Sequence, residues 1–141
     1  MNFDEKLSLL AATLLRLALG AVFIAHALLK LLVFTLPGTV NFFEAHGFPG
    51  WTAYPVFAAE LIGGTLLVIG FLTRSVSLVL IPIMIGAFLT HLPNGWNFTA
   101  PGGGWEYVAF LIVALMVQAM LGSGMFALQR LLLREGFKRW L

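Results

Sequence analysis

Leu9 to Val33 reads LLAATLLRLALGAVFIAHALLKLLV, and this stretch decides the fold. A helix crosses the hydrocarbon core of a bilayer with about 20 mostly apolar residues. The run meets that length while carrying three basic side chains, Arg16, His26 and Lys30. Leu36-Pro37-Gly38-Thr39 then breaks it. Working outward, a second apolar run extends from about Ala53 to Leu72 and holds one charge, Glu60. Gly70 to Ser75 forms a short polar turn with Arg74. A third run covers Val76 to Leu92 with Pro82 inside it, where a kink rather than a break is expected because neighbouring helices can satisfy the freed carbonyl. After a loop rich in Pro, Asn and Gly, a fourth run extends from Trp105 to Leu128, with Glu106 at its mouth and Gln118 within. The expected fold class is therefore all-α. It is an integral membrane four-helix transmembrane bundle forming a single domain over 1–141, with spans at 9–33, 53–72, 76–92 and 105–128 and a basic amphipathic tail at 129–141.

Composition supports this reading. Of 141 residues, 60% are hydrophobic and 10% charged, and the mean hydropathy is +0.98. A soluble domain is about 45–50% apolar and about 25% charged. An ordinary cytosolic enzyme, a disordered chain and a nucleic-acid binder with a basic face are excluded. The chain has no cysteine, which removes disulfides, thiolate metal sites, iron–sulfur clusters and cysteine nucleophiles. The runs do not alternate as barrel strands would. Asn2 to Lys6 carries no net positive charge and no small-residue cleavage site follows, so the first run is not expected to be a cleaved signal peptide.

Lys and Arg set the orientation. Lys6 precedes the first span, Arg74 separates the second from the third, and Arg130, Arg134, Lys138 and Arg139 follow the fourth. The loops at about Phe34 to Thr52 and Pro93 to Gly104 contain neither. Both termini are expected in the cytoplasm. The tail sets Leu131, Leu132, Phe137, Trp140 and Leu141 among its cations, the pattern of an interfacial anchor on an anionic leaflet.

Ionisable residues within spans are costly unless partnered. Arg16, Gly20, Phe23, Ala27 and Lys30 share one face of the first helix at a period of 3.6, and His26 and Lys30 are neighbours four apart. Chain direction places His26, Lys30 and Glu60 in the outer half of the bundle, where Glu60 can meet Lys30 or His26. His91 ends the third span and Glu106 opens the fourth on that same side. The candidate site is thus an outer polar cluster of His26, Lys30, Glu60, His91 and Glu106. A Glu60–Lys30 ion pair that fixes helix register is the rival explanation for it. Arg16 is expected near the interface, its long stem snorkelling to the headgroups. His46 and His91 are read as loop or interfacial residues, and Gln118 as an interhelical hydrogen-bonding group.

Two segments echo each other weakly. His46-Gly-Phe-Pro49-Gly50-Trp51 resembles His91-Leu-Pro93-Asn-Gly95-Trp96, and Pro55 with Glu60 resembles Pro101 with Glu106, as two similar helical hairpins would. Gly102-Gly103-Gly104 lacks the Lys-Ser/Thr of a phosphate loop and is read as a flexible turn. Asn97-Phe98-Thr99 is a glycosylation acceptor pattern on the expected outer side, relevant only in a secretory pathway. No Ser-His-Asp set, metal-ligand spacing or nucleotide fingerprint is present, so no metal site and no cofactor are expected.

The stretch Leu14 to Leu31 resembles the first helix of the DoxX family, as does the loop Phe43-Glu44-Ala45-His46-Gly47-Phe48-Pro49. Ala59-Glu60-Leu61-Ile62-Gly63-Gly64, ending in Leu67-Val68-Ile69-Gly70-Phe71-Leu72-Thr73-Arg74, is similar to that family's second-helix signature. The likeness extends to about Gly124. It implies a multi-pass protein of the bacterial inner (plasma) membrane, with some relatives linked to thiosulfate- or quinone-linked oxidoreduction and to detoxification assemblies. The family often closes with Gly-x-Gly followed by Ser-Leu-Asp, whereas here Gly122-Ser123-Gly124 precedes Met125-Phe126-Ala127-Leu128. No role tied to that terminal Asp carries over. The reading that follows is a non-catalytic subunit or scaffold of a membrane redox assembly, without stand-alone activity. Its partners would be the lipid bilayer, membrane redox subunits or a second copy of the chain, and no nucleic acid. The alternatives are a quinone-linked membrane oxidoreductase and a small carrier or ligand-binding membrane protein.

Overall fold

The computed structural model describes residues 2–134. Within them the chain forms six α-helices: α1 Phe3–Leu32, α2 Leu36–Ala45, α3 Ala53–Ile69, α4 Thr73–His91, α5 Glu106–Leu121 and α6 Leu128–Arg134. Among the described residues there is no strand. Three helical stretches, Phe3–Leu32, Gly50–Ile69 and Thr73–Asn94, are long and apolar enough to cross a membrane, and α5 is apolar but shorter.

α1 starts six residues before the apolar run does, because its start is set by a cap rather than by hydropathy. The Asn2 side chain accepts the Glu5 N–H at 2.8 Å and Glu5 accepts the Asn2 N–H at 3.0 Å, a reciprocal capping box. The break at Pro37 is also a beginning. Pro37 lies in the first turn of α2, where its missing N–H leaves nothing unsatisfied, and the Thr35 hydroxyl accepts the Gly38 N–H at 3.2 Å. A segment expected as plain loop therefore contains a ten-residue helix, which leans on the Gly50–Thr52 turn and on α3. α4 runs unbroken through Pro82.

The largest departure concerns the fourth span. α5 ends at Leu121 instead of continuing to Leu128. Gly122 (φ 81°), Gly124 (φ 69°) and Phe126 (φ 52°) lie in the left-handed region, which cannot continue a right-handed helix. At 1.5 Å per residue α5 is about 24 Å long, short of the roughly 30 Å hydrocarbon core. Residues 122–127 instead form a strap across the end of the bundle that carries Lys6, Arg74 and Arg130, called here the basic end. The Thr13 hydroxyl accepts the Met125 N–H at 2.7 Å, the Met125 N–H also reaches Leu9 O at 3.2 Å, and the Gln129 N–H donates to Gly70 O at 3.2 Å. Ala127 is buried. The tail beyond residue 134, with Phe137, Lys138, Arg139, Trp140 and Leu141, lies outside the described residues.

α1 packs chiefly on α3 and α4 on α5, while α3–α4 and α1–α5 contacts close the ring. The core contains Leu19 and Phe23 from α1, Leu67 from α3, Val76, Leu80 and Met84 from α4, and Val108, Leu111 and Leu115 from α5. Outward-facing positions are just as apolar: Leu14, Ile62, Val79, Phe110 and Met120 are all exposed. Helices apolar all round belong in lipid, and the chain is a helical membrane protein.

Candidate functional site: a polar seam between α1 and α3

The two antiparallel helices α1 and α3 touch backbone to backbone. A Cβ on Gly20 would lie 2.8 Å from Gly64 O, and one on Gly64 would lie 2.9 Å from Gly20 O. Only glycine at both positions permits that approach, which is how small residues bring membrane helices together. The seam carries a buried charge on each side of this contact.

Toward the end formed by the loops 33–52 and 92–105, called here the loop end, the Lys30 ammonium donates to both Glu60 oxygens, at 2.7 and 3.0 Å. Lys30, not His26, is the partner of Glu60. The Glu60 side chain is 3% exposed and that of Lys30 16% exposed. The pair joins α1 to α3 across the seam. The lysine, reached from the loop end, is the less enclosed of the two.

Toward the basic end the seam holds Arg16, and here the expectation of a snorkelling residue is overturned. Arg16 is 1% exposed. One guanidinium nitrogen, Nη1, donates to the carbonyls of both Leu67 and Val68 in the last turn of α3. That turn carries carbonyls with spare acceptor capacity and the negative end of the helix dipole, a natural seat for a cation. Gly70 caps α3 in the left-handed conformation, and a Cβ there would meet Ala127 at 2.7 Å and Arg16 Nη1 at 2.9 Å. The strap thus closes over the arginine and removes its route to the headgroups. Three buried polar atoms at this end, Arg16 Nε, Thr73 Oγ1 and Gln118 Oε1, have no hydrogen-bond partner among the described residues. Gln118 does not bridge helices through its amide nitrogen, which donates to Gly122 O at 2.7 Å. It secures the start of the strap.

The remaining members of the expected cluster do local work. His26 Nδ1 lies 2.9 Å from Val22 O, and its ring stacks on Tyr107 at 6.2 Å. His91 Nδ1 lies 3.1 and 3.0 Å from Gly102 O and Gly103 O. Carbonyls only accept, so both histidines carry hydrogen on Nδ1. The Asn94 amide donates to the same two carbonyls. Glu106 Oε1 accepts the Phe98 N–H at 2.9 Å. The triglycine is therefore held from two sides, not a flexible turn, and His91 and Glu106 brace the loop that joins α4 to α5. His46 is exposed and sits against Phe42 O at 2.8 Å. Among the described residues no group of three or more His, Cys, Asp or Glu side chains could hold a metal ion.

Thr13, which ties the strap to α1, is not conspicuous in the sequence, because a threonine in an apolar helix ordinarily bonds its own preceding turn. The warning for Arg16 was its place on the same helix face as Gly20, Phe23, Ala27 and Lys30, which is the buried face.

Comparison with known proteins follows the same lines. The DoxX family matches residues 11–92, which hold most of α1, all of α2 and α3, and α4. A Bacillus subtilis (strain 168) protein named "Putative oxidoreductase CatD" is 35% identical over 116 residues, covering 82% of this chain and 81% of that protein. No solved structure matches significantly. The family match contains the glycine contact, the Lys30–Glu60 pair and Arg16 with its acceptors, and the chain belongs to the DoxX family.

Proposed function

We propose that this protein is a non-catalytic membrane subunit or scaffold of a redox or detoxification assembly in a bacterial inner membrane, with both termini in the cytoplasm. One observation supports the subunit role above others: the ionisable side chains within the bundle are engaged in holding it together. Lys30 and Glu60 bond each other, Arg16 binds the end of α3, and His26 and His91 bond backbone carbonyls. Groups so engaged stabilise one arrangement of helices and are poorly placed to carry protons or electrons. The redox association is supported by the name of the Bacillus relative, and the orientation by the absence of Lys and Arg from loops 33–52 and 92–105.

The relative's name equally favours the rival reading, a membrane oxidoreductase in its own right, and one experiment separates the two. The protein is purified from its native membrane in mild detergent, alone and with whatever remains bound. The expected result is a stoichiometric partner carrying a redox cofactor, with electron transfer to an acceptor dye seen only when both are present. Turnover of a quinone analogue by the isolated chain overturns the subunit role. A reporter fused after Leu141 is expected to work only if it is one that functions in the cytoplasm.

A further inference from the structure

The loop end contains an open depression that the seam does not use. It has a volume of about 490 Å³ and is lined by Trp96, Phe98, Glu106, Tyr107 and Phe110. Four of the five are aromatic, and all four rings are exposed, from 40% for Tyr107 to 67% for Phe110. The fifth is a carboxylate. Its Oε1 is fixed by the Phe98 N–H. The wall itself is built firmly. Trp96 meets Trp105 edge-on at 4.6 Å, the Glu106 N–H donates to Trp96 O at 3.2 Å and the Trp105 N–H to Gly95 O at 3.1 Å, and Tyr107 is backed by the His26 ring.

We infer that this depression is a binding site for an organic ammonium group. Aromatic faces attract a cation through their quadrupoles, most strongly when the cation is poorly hydrated. A single carboxylate among them adds a full negative charge, which attracts the same cation. Loops 33–52 and 92–105 contain no Lys or Arg to compete for that charge, and Lys30 on α1 is already paired with Glu60. An anion or a neutral apolar molecule would leave the Glu106 charge uncompensated. A small metal ion would ask for several oxygen ligands, and the depression supplies one carboxylate. The chemistry that matches is a quaternary or alkylated ammonium, whether on a free organic cation or on a phospholipid headgroup. The inference is independent of the subunit reading.

The test uses the full chain in nanodiscs of phosphatidylglycerol, a lipid without an ammonium group. Choline and its uncharged isostere 3,3-dimethylbutan-1-ol are titrated against tryptophan fluorescence and by calorimetry. Choline is expected to bind at least about 10-fold more tightly than the isostere, the size of a cation–π and carboxylate contribution together. Glu106→Gln keeps an oxygen for the Phe98 N–H while removing the charge, and is expected to weaken choline about 10-fold with thermal stability retained. Trp96→Leu is expected to weaken it about 5-fold. Repeating the titration in phosphatidylcholine nanodiscs identifies the source: loss of choline binding there marks a lipid headgroup as the occupant, and retained binding marks a free cation. Equal binding of choline and the isostere, no binding of either, or unchanged choline binding in Glu106→Gln each overturns the inference and leaves the rings as an ordinary interfacial belt.

Discussion

The α1–α3 seam buries charge on either side of the Gly20–Gly64 contact, and it does so by two different means. On the loop side Lys30 faces a carboxylate, so the charge is cancelled by its opposite. On the basic side Arg16 faces the carbonyls of Leu67 and Val68, so it is solvated by the dipoles of a helix end and roofed by the strap. A pair of opposite charges can be removed together. A charge held by backbone cannot, because the carbonyls remain when the cation goes.

The largest expected effect breaks the pair from one side. Lys30→Met leaves Glu60 alone in a site where its side chain is 3% exposed, and the loss is expected to approach the 3–5 kcal/mol (about) seen for an uncompensated buried ion. Glu60→Gln strands Lys30 instead, whose 16% exposure lets it turn toward the interface, so its loss should be smaller. The double variant should recover part of the combined loss. Unfolding free energies measured in detergent or bicelles by steric trapping check the cycle. Strict additivity would mean that the pair contributes no coupling.

Arg16→Met comes next, at about 1–3 kcal/mol, since the Val68 carbonyl loses its donor and the Leu67 carbonyl keeps only the Gly70 N–H at 3.2 Å. Arg16→Lys should recover part of this loss, because both bonds come from one nitrogen, Nη1, which a lysine ammonium can imitate only as far as its shorter stem reaches. The contrast with the loop side is sharpest in combination. Arg16 and Lys30 are fourteen positions apart on α1, roughly 21 Å along its axis. Arg16→Met should therefore add to Glu60→Gln without recovery, whereas recovery would show that the two charges share one electrostatic site.

Much of this bundle was legible because hydropathy is a bulk property. Four apolar runs and a one-sided distribution of Lys and Arg suffice to place helices in a membrane. Helix ends were less legible, because they depend on a few hydrogen bonds: Asn2 with Glu5 extends α1, Thr35 starts α2, and positive φ angles stop α5 at Leu121. Depth and helix direction brought Glu60 level with Lys30 and His26, but could not choose between them. The burial of Arg16 is not legible from its place near the start of α1, because a strap distant in sequence roofs it, held by Met125 on Thr13, 112 residues apart. Contacts of that range leave no local pattern in sequence.

Gly20→Ala tests the contact that both charges flank. Its Cβ would meet Gly64 O at 2.8 Å and Val68 Cγ2 at 2.7 Å. A side chain can rotate away, but a carbonyl oxygen in a helix cannot, so α1 and α3 must separate. Overpacking of this kind costs about 1–2 kcal/mol. The same change should lengthen both flanking interactions, so Lys30→Met should cost less in a Gly20→Ala background than in the native chain. An unaltered cost would show that the ion pair forms independently of helix approach.

The smallest effect is the most selective for the basic end. Thr13→Val keeps the shape of the side chain and removes the hydroxyl, which accepts the Met125 N–H at 2.7 Å and donates to Leu9 O at 2.8 Å. The Met125 N–H retains Leu9 O as a longer-range partner at 3.2 Å, so the net loss should be about 1 kcal/mol, that of one ordinary hydrogen bond. Its consequence should be local. With the strap loosened over Gly70, amide hydrogen exchange should rise at Met125 and Gln129, whose N–H groups tie the strap to α1 and to α3, while amides of α1 near Lys30 stay protected. Opening confined to those amides would show that the strap is a separately breathing unit roofing Arg16. Exchange that rises equally along α1 would show that the two ends of the seam unfold as one.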